Sequence, residues 1–166
     1  MKGERNTQVY QVGPCLFGTS STIPHWKTEE LIPSLKPFLL SLDTYKEKEL
    51  KIAFSLAIQP ESETQEEDHA KYRSLIEFEW ESATCRISVI PDTDSYLITI
   101  LAPNDPKEYT AYFFYGFTKG ILFLHATEAD AFVLNNILMM IYAFNTACSD
   151  TVLMHASVIK KDGKGY

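Results

Sequence analysis

The clearest alternation of apolar and polar positions lies between residues 75 and 125. Ile76, Phe78 and Trp80 alternate with Glu77, Glu79 and Glu81, the two-residue period of a half-buried strand. Cys85, Ile87 and Val89 continue the apolar series on odd instead of even positions. A strand cannot change parity without a turn or a bulge, because a one-residue slip sends every side chain to the other face. A tight turn at Ser82-Ala83 resolves the conflict. It sets Trp80 against Cys85, Phe78 against Ile87 and Ile76 against Val89, with Glu79 opposite Arg86 on the wet face. A single bulged strand is the alternative. Pro91-Asp92-Thr93-Asp94 is turn chemistry, and residues 96–101 read as the next strand, ended by Ala102-Pro103-Asn104-Asp105-Pro106. Residues 109–117 and 121–125, joined through Thr118-Lys119-Gly120, complete an antiparallel meander. These last two strands are apolar enough for burial on both faces.

A helix over 128–148 follows, opened by Thr127-Glu128-Ala129-Asp130 with acids in its first turn, where the helix dipole favours them. Phe132, Val133, Leu134, Ile137, Leu138, Met140, Ile141 and Phe144 make it apolar nearly all round, relieved by Asn135, Asn136 and Asn145. Such a helix belongs in a core. Residues 1–60 are less regular. Gln8 to Val12 alternate like a short strand, and 50–58 (LKIAFSLAI) resemble a buried one. Thr28-Glu29-Glu30 looks like a helix start, but Pro33 and Pro37 break a long helix and leave one short helix near 34–42. The acidic run 61–68 (ESETQEED) reads as a surface loop. After the long helix, 151–159 alternate again, with Leu153, His155, Ser157 and Ile159 on one face and Val152, Met154, Ala156 and Val158 on the other. The whole is α+β: a single domain over 1–166 built on a mostly antiparallel sheet of about six to eight strands.

Composition narrows the classes. With 166 residues and 45% hydrophobic content the chain can bury a substantial core. A net charge of −7 without a basic face argues against a dedicated nucleic-acid binder, and Lys160, Lys161 and Lys164 bunch only beside a turn. Cys15, Cys85 and Cys148 show no C-x-x-C spacing, and His25, His69 and His125 have no metal-ligand spacing, so neither a zinc site nor a disulfide framework is expected. No apolar h-region follows the N-terminal residues, and the longest apolar stretch, 137–144, is too short to span a bilayer, so the expected location is cytoplasmic. Tyr109, Tyr112, Phe113, Phe114 and Tyr115 are dense enough to line a pocket, with core filling as the competing use.

The candidate chemistry is concentrated in the tail. His155 and Ser157 share a strand face, but no orienting carboxylate identifies a nucleophilic pair, and a buried histidine satisfied by a neighbouring hydroxyl or carbonyl accounts for the spacing better. The segment Leu153-Met154-His155-Ala156-Ser157-Val158, a short link, and then Asp162-Gly163-Lys164-Gly165-Tyr166 resembles the opening of the catalytic domain of HPr kinase/phosphorylase-like proteins, a group related to phosphoenolpyruvate carboxykinase. The resemblance is closest to the compact HPr-kinase-like proteins of bacteria. It implies that a His-bearing strand passes through a Gly turn into a second strand that feeds a phosphate-binding loop, with His155 at the family's catalytic position. The family's kinase proper has His-Gly where this chain has His155-Ala156. A phosphate loop needs G-x-x-x-x-G-K-[ST], whose backbone N–H groups cradle phosphates while the hydroxyl holds Mg²⁺, and no such run occurs in these residues. The resemblance therefore implies a non-catalytic N-terminal region of an ATP-dependent kinase, ending just before that loop. Its role would be regulatory, substrate-presenting or oligomerising. ATP and Mg²⁺ are expected only with the loop present, a protein substrate only for the intact kinase, and a homo-oligomer through the edge of 151–159. The alternative is a free-standing small-molecule or protein binding module with an aromatic-rich sheet.

Overall fold

A computed structural model describes residues 6–41, 51–63, 71–80, 82–147, 160–161 and 164–165. Nine strands form one sheet: β1 (Asn6–Val12), β2 (Cys15–Ser21), β3 (Leu39–Leu40), β4 (Phe54–Pro60), β5 (Arg73–Trp80), β6 (Ala83–Val89), β7 (Tyr96–Leu101), β8 (Glu108–Phe114) and β9 (Lys119–Leu124). Their order is β3-β1-β2-β4-β9-β8-β7-β6-β5. β4 runs parallel to both its neighbours, β2 and β9, and every other adjacent pair is antiparallel. The helices are α1 (Thr28–Leu31), a 3-10 segment Pro33–Phe38, and α2 (Asp130–Thr146). A further 3-10 turn spans Glu61–Glu63, and β10 (Lys160–Lys161) pairs with β11 (Lys164–Gly165) in a separate ribbon. The fold is α+β, as the pattern predicts, with the meander β5 to β9 in sequence order.

α2 supplies the cover for this sheet. Val133, Leu134, Ile137 and Ile141 are at most 1% exposed and share one apolar cluster with Phe54, Leu56 and Ile58 of β4, Leu122 of β9, Phe113 of β8 and Ile98 of β7. Full burial of such side chains contributes about 1.5–3 kcal/mol each. Two asparagines place their amide N–H groups in this environment: Asn136 and Asn145 donate to the carbonyls of Phe132 and Ile141, at 2.9 Å each, and Asn145 also to Phe117, while Asn136 Oδ1 is buried without a partner among the described residues. Alternation on β8 buries both faces, as expected. Tyr109, Ala111 and Phe113 join the large cluster, while Tyr112 packs with Leu97 and Phe123 in a second one.

Several boundaries differ from the sequence expectation. The β5–β6 hairpin is shifted by two residues: Phe78 opposes Cys85, Ile76 opposes Ile87, and Glu77, not Glu79, opposes Arg86. Ala83 already belongs to β6, and Ser82 takes the left-handed φ of 66° that a short hairpin loop demands. Because the shift is even, each side chain keeps its expected face, and Arg86 donates to Glu77 at 2.7 Å. A register shift between Ser74 and Ile76 adds a bulge near the start of β5. β5 is less buried than its alternation suggests, since it lies at the rim of a sheet wider than one helix can cover; Ile76 is 52% exposed. The expected helix near 34–42 is instead two short pieces over 28–38, because the chain turns helical at Thr28 and Pro33 restarts it as 3-10. The irregular first third holds four strands, of which Cys15–Ser21 gave no alternating signal: it is buried at six of seven positions. β8 ends at Phe114, and the turn to β9 uses left-handed Tyr115, Gly116 and Phe117. The expected strand 151–159, the C-terminal end of the expected helix at Cys148 and the core of the acidic run lie outside the described residues.

Gly120 tests how tightly side chains pack across neighbouring strands, since it pairs with Phe113 on one side and Leu56 on the other. A Cβ there would lie 2.3 Å from Cε1 of Phe113, a ring that is 1% exposed and has nowhere to move. Gly120→Ala is expected to lower stability by about 1–3 kcal/mol, read as a lower urea midpoint with an unchanged slope.

Candidate functional site

The densest polar cluster among the described residues forms where the β7–β8 loop, the start of β8, the end of β9 and the first turn of α2 converge. Its hub is Tyr109, whose hydroxyl lies 3.0 Å from Oδ1 of Asp130, 3.1 Å from Oδ2 of Asp105 and 2.6 Å from Oγ1 of Thr127. Thr127 Oγ1 is in turn 3.0 Å from Asp105 Oδ2. The loops are placed by backbone donors: His125 and Ala126 N–H donate to the Asp130 carboxylate, Lys107 N–H to Asp105, and Ala129 N–H to Thr127. Asp130 thus ties down the loop before its own helix, and Ala126 adopts a left-handed φ of 60° within that loop.

Proton counting gives the cluster its chemical character. Two hydroxyl protons, on Tyr109 and Thr127, face four oxygen–oxygen contacts, so acceptors outnumber donors. Burial first, and then the two carboxylates, push the Tyr109 phenol well above its ordinary value, which keeps it protonated and donating. Asp105 is held below the usual carboxylate range, chiefly by the backbone N–H of Lys107. The ring of His125 packs on Tyr109 at 4.2 Å between centroids, and its Nδ1 sits 3.7 Å from Oε2 of Glu61 without a hydrogen-bond partner among the described residues. Glu61 also accepts from Lys107 Nζ at 3.0 Å, the main reason its carboxyl is held low. Beside the hub opens a cleft of about 550 Å³ lined by Pro103, Asn104, Asp105, Thr127, Glu128 and Phe132. An acceptor-rich wall of this kind suits a ligand that brings N–H or O–H donors. Among the described residues no three His, Cys, Asp or Glu side chains converge to hold a metal ion.

A second polar cluster is structural in form. Gln8 accepts from the Thr28 N–H at 2.8 Å and donates to Glu29, Tyr10 donates to Glu29 at 3.0 Å, and Thr19 and Thr28 share a hydrogen bond at 2.8 Å. These contacts fasten α1 to β1 and β2. Burial raises the Glu29 carboxyl, but hydrogen bonds from its backbone, Gln8 and Tyr10 outweigh that and leave it below its ordinary value.

His155, the catalytic position that the family resemblance implies, and its neighbour Ser157 lie outside the described residues. The aromatic run divides by use: Tyr109, Tyr112 and Phe113 fill the core and only Tyr115, 70% exposed, faces outward, where Lys119 sits over its ring. The Tyr109 hub was not legible in the sequence, since Asp105 reads as a turn residue and Asp130 as a helix cap. The one local hint is the Asp105–Tyr109 spacing. Among the described residues no helix is long and apolar enough to cross a membrane. Comparison with models of known protein families, with curated proteins and with solved structures finds no match.

Asp105 gives the cluster a pH signature. Its folded value is depressed, so its contribution to stability is present above the unfolded value and is lost as pH falls through the folded one. The gap in urea midpoint between wild type and Asp105→Asn is therefore expected to be open at pH 7 and to close below about pH 4. A pH-independent gap would assign Asp105 a purely steric role.

Proposed function

We propose that this chain serves as the non-catalytic N-terminal region of an HPr-kinase-like ATP-dependent kinase, in a regulatory, substrate-presenting or oligomerising role. The observation that carries the reading is the ribbon of β10 and β11, in which Lys160 pairs with Gly165 and Lys161 with Lys164. It brackets Asp162-Gly163, where the resemblance expects one strand to pass through a Gly turn into the strand that feeds a phosphate loop. On this reading ATP and Mg²⁺ bind only when that loop is joined to the chain, His155 acts only in the joined protein, and a protein is its substrate. The setting is the cytoplasm of a bacterium, where isolated thiols such as Cys15 and Cys85 stay reduced. The cleft beside Tyr109 favours a second reading, a binding module for a small molecule or a protein segment rich in donors.

Calorimetric titration with ATP·Mg²⁺ separates the two. The 166-residue chain is expected to show no binding, and a form joined to a catalytic region with the Gly-Lys-Ser/Thr loop is expected to bind. In that form His155→Ala is expected to abolish phosphoryl transfer while leaving nucleotide binding intact. Absence of binding by both forms would overturn the kinase reading and leave the cleft as the working site.

A further inference from the structure

β5 ends the sheet, and among the described residues no strand pairs with its outer side. Such an edge offers a row of free N–H and C=O groups to any strand that fits. Its apolar side chains are also open: Leu75 is 51% exposed, Ile76 52% and Trp80 41%. Ile76, Phe78 and Trp80 oppose Ile87, Cys85 and Ala83 of β6, so they carry the core-facing stripe out to the rim.

The charges on this edge are ordered. Lys71 and Arg73 stand at its beginning, Glu77 and Glu79 towards its end. Glu77 is held within the protomer by Arg86, whereas neither Arg73 nor Glu79 has an ion-pair partner among the described residues. The bulge adds a second asymmetry. Arg73 opposes Val89, which shares its face with Ile87 and Cys85, so Arg73 lies on the same face as Phe78 and Trp80.

We propose that β5 pairs antiparallel with β5 of a second copy of this chain, about a two-fold axis near Ile76, to make one sheet that runs through both protomers. The antiparallel sense sets the basic end of each strand beside the acidic end of the other; a parallel sense would stack like charge on like. On the apolar face the axis brings Ile76 against its own copy. It also brings the Arg73 guanidinium of each protomer to the aromatic pair Phe78 and Trp80 of the other, a cation over rings. An identical copy supplies the guanidinium that these rings meet, and a strand without a cation in that place does not. The bulge sharpens the local twist and keeps the paired stretch short, so the contact is smaller than a standard interface and the association reversible. The pairing needs nothing from the tail.

Sedimentation velocity over a concentration series tests it. Wild type is expected to show a reversible monomer–dimer equilibrium. Ile76→Lys, a change at an exposed position that puts two ammonium groups together on the axis, is expected to weaken the dimer by at least about tenfold, with an unchanged urea midpoint. Arg73→Glu, which puts an anion against the rings, is expected to weaken it as well, and Arg73→Lys, which keeps a cation there, to weaken it less. Three results would overturn the proposal: a wild type that stays monomeric throughout, a dimer indifferent to Ile76→Lys, or an Arg73→Lys dimer no tighter than that of Arg73→Glu.

Discussion

The fold depends on one helix with almost no charge. Asp130 is the only ionisable carboxylate or cation in α2, and it sits in the first turn, where its oxygens hold the preceding loop. Everything beyond it is free to meet the sheet, and the cluster built on Val133, Leu134, Ile137 and Ile141 reaches across the sheet from β1 to β6. A single helix is narrower than nine strands, however. The two flanks are handled differently. On the β1–β2 side, α1 and the 3-10 segment add cover, fastened by Gln8, Tyr10 and Glu29. On the β5 side the described residues supply no counterpart, and the rim stays apolar and open.

How much of this was legible in the sequence follows from which elements carry their own pattern. The meander announced itself because β5, β6 and β7 alternate or are bounded by Pro and Asp turns, and α2 because no other run is so long and so free of charge. Register was harder. Alternation fixes which face a side chain takes, so Ile76 and Phe78 were placed on the correct side, but it cannot separate registers that differ by two residues. That choice was made by the backbone at Ser82. The N-terminal strands were obscure for the opposite reason: β2 is buried on both faces and has no alternation to display.

The polar hub was hard to see because its two pairs, Asp105–Tyr109 and Thr127–Asp130, are far apart in sequence and each member has an ordinary local explanation. Asp105 ends a strand, Thr127 and Asp130 start a helix, and Tyr109 is one of several aromatics in a row. Only the docking of α2 across β8 and β9 brings them within hydrogen-bond distance of one phenol. The tail had the reverse character: its candidate residues were read from one short run, and His155 and Ser157 lie outside the described residues.

The parallel placement of β4 has a further consequence, for the order in which the chain assembles. Ser55 pairs with Lys119, and every residue of the β5–β8 meander lies between them in sequence. Neighbouring strands of the meander can zip through short loops, whereas β4 can join β9 only after that long loop has closed. Among the described residues the N-terminal hairpin pairs with the rest of the sheet through β4. Synthesis thus delivers β4 well before its partner β9, and of the strand pairings in the sheet β4–β9 closes the longest stretch of chain.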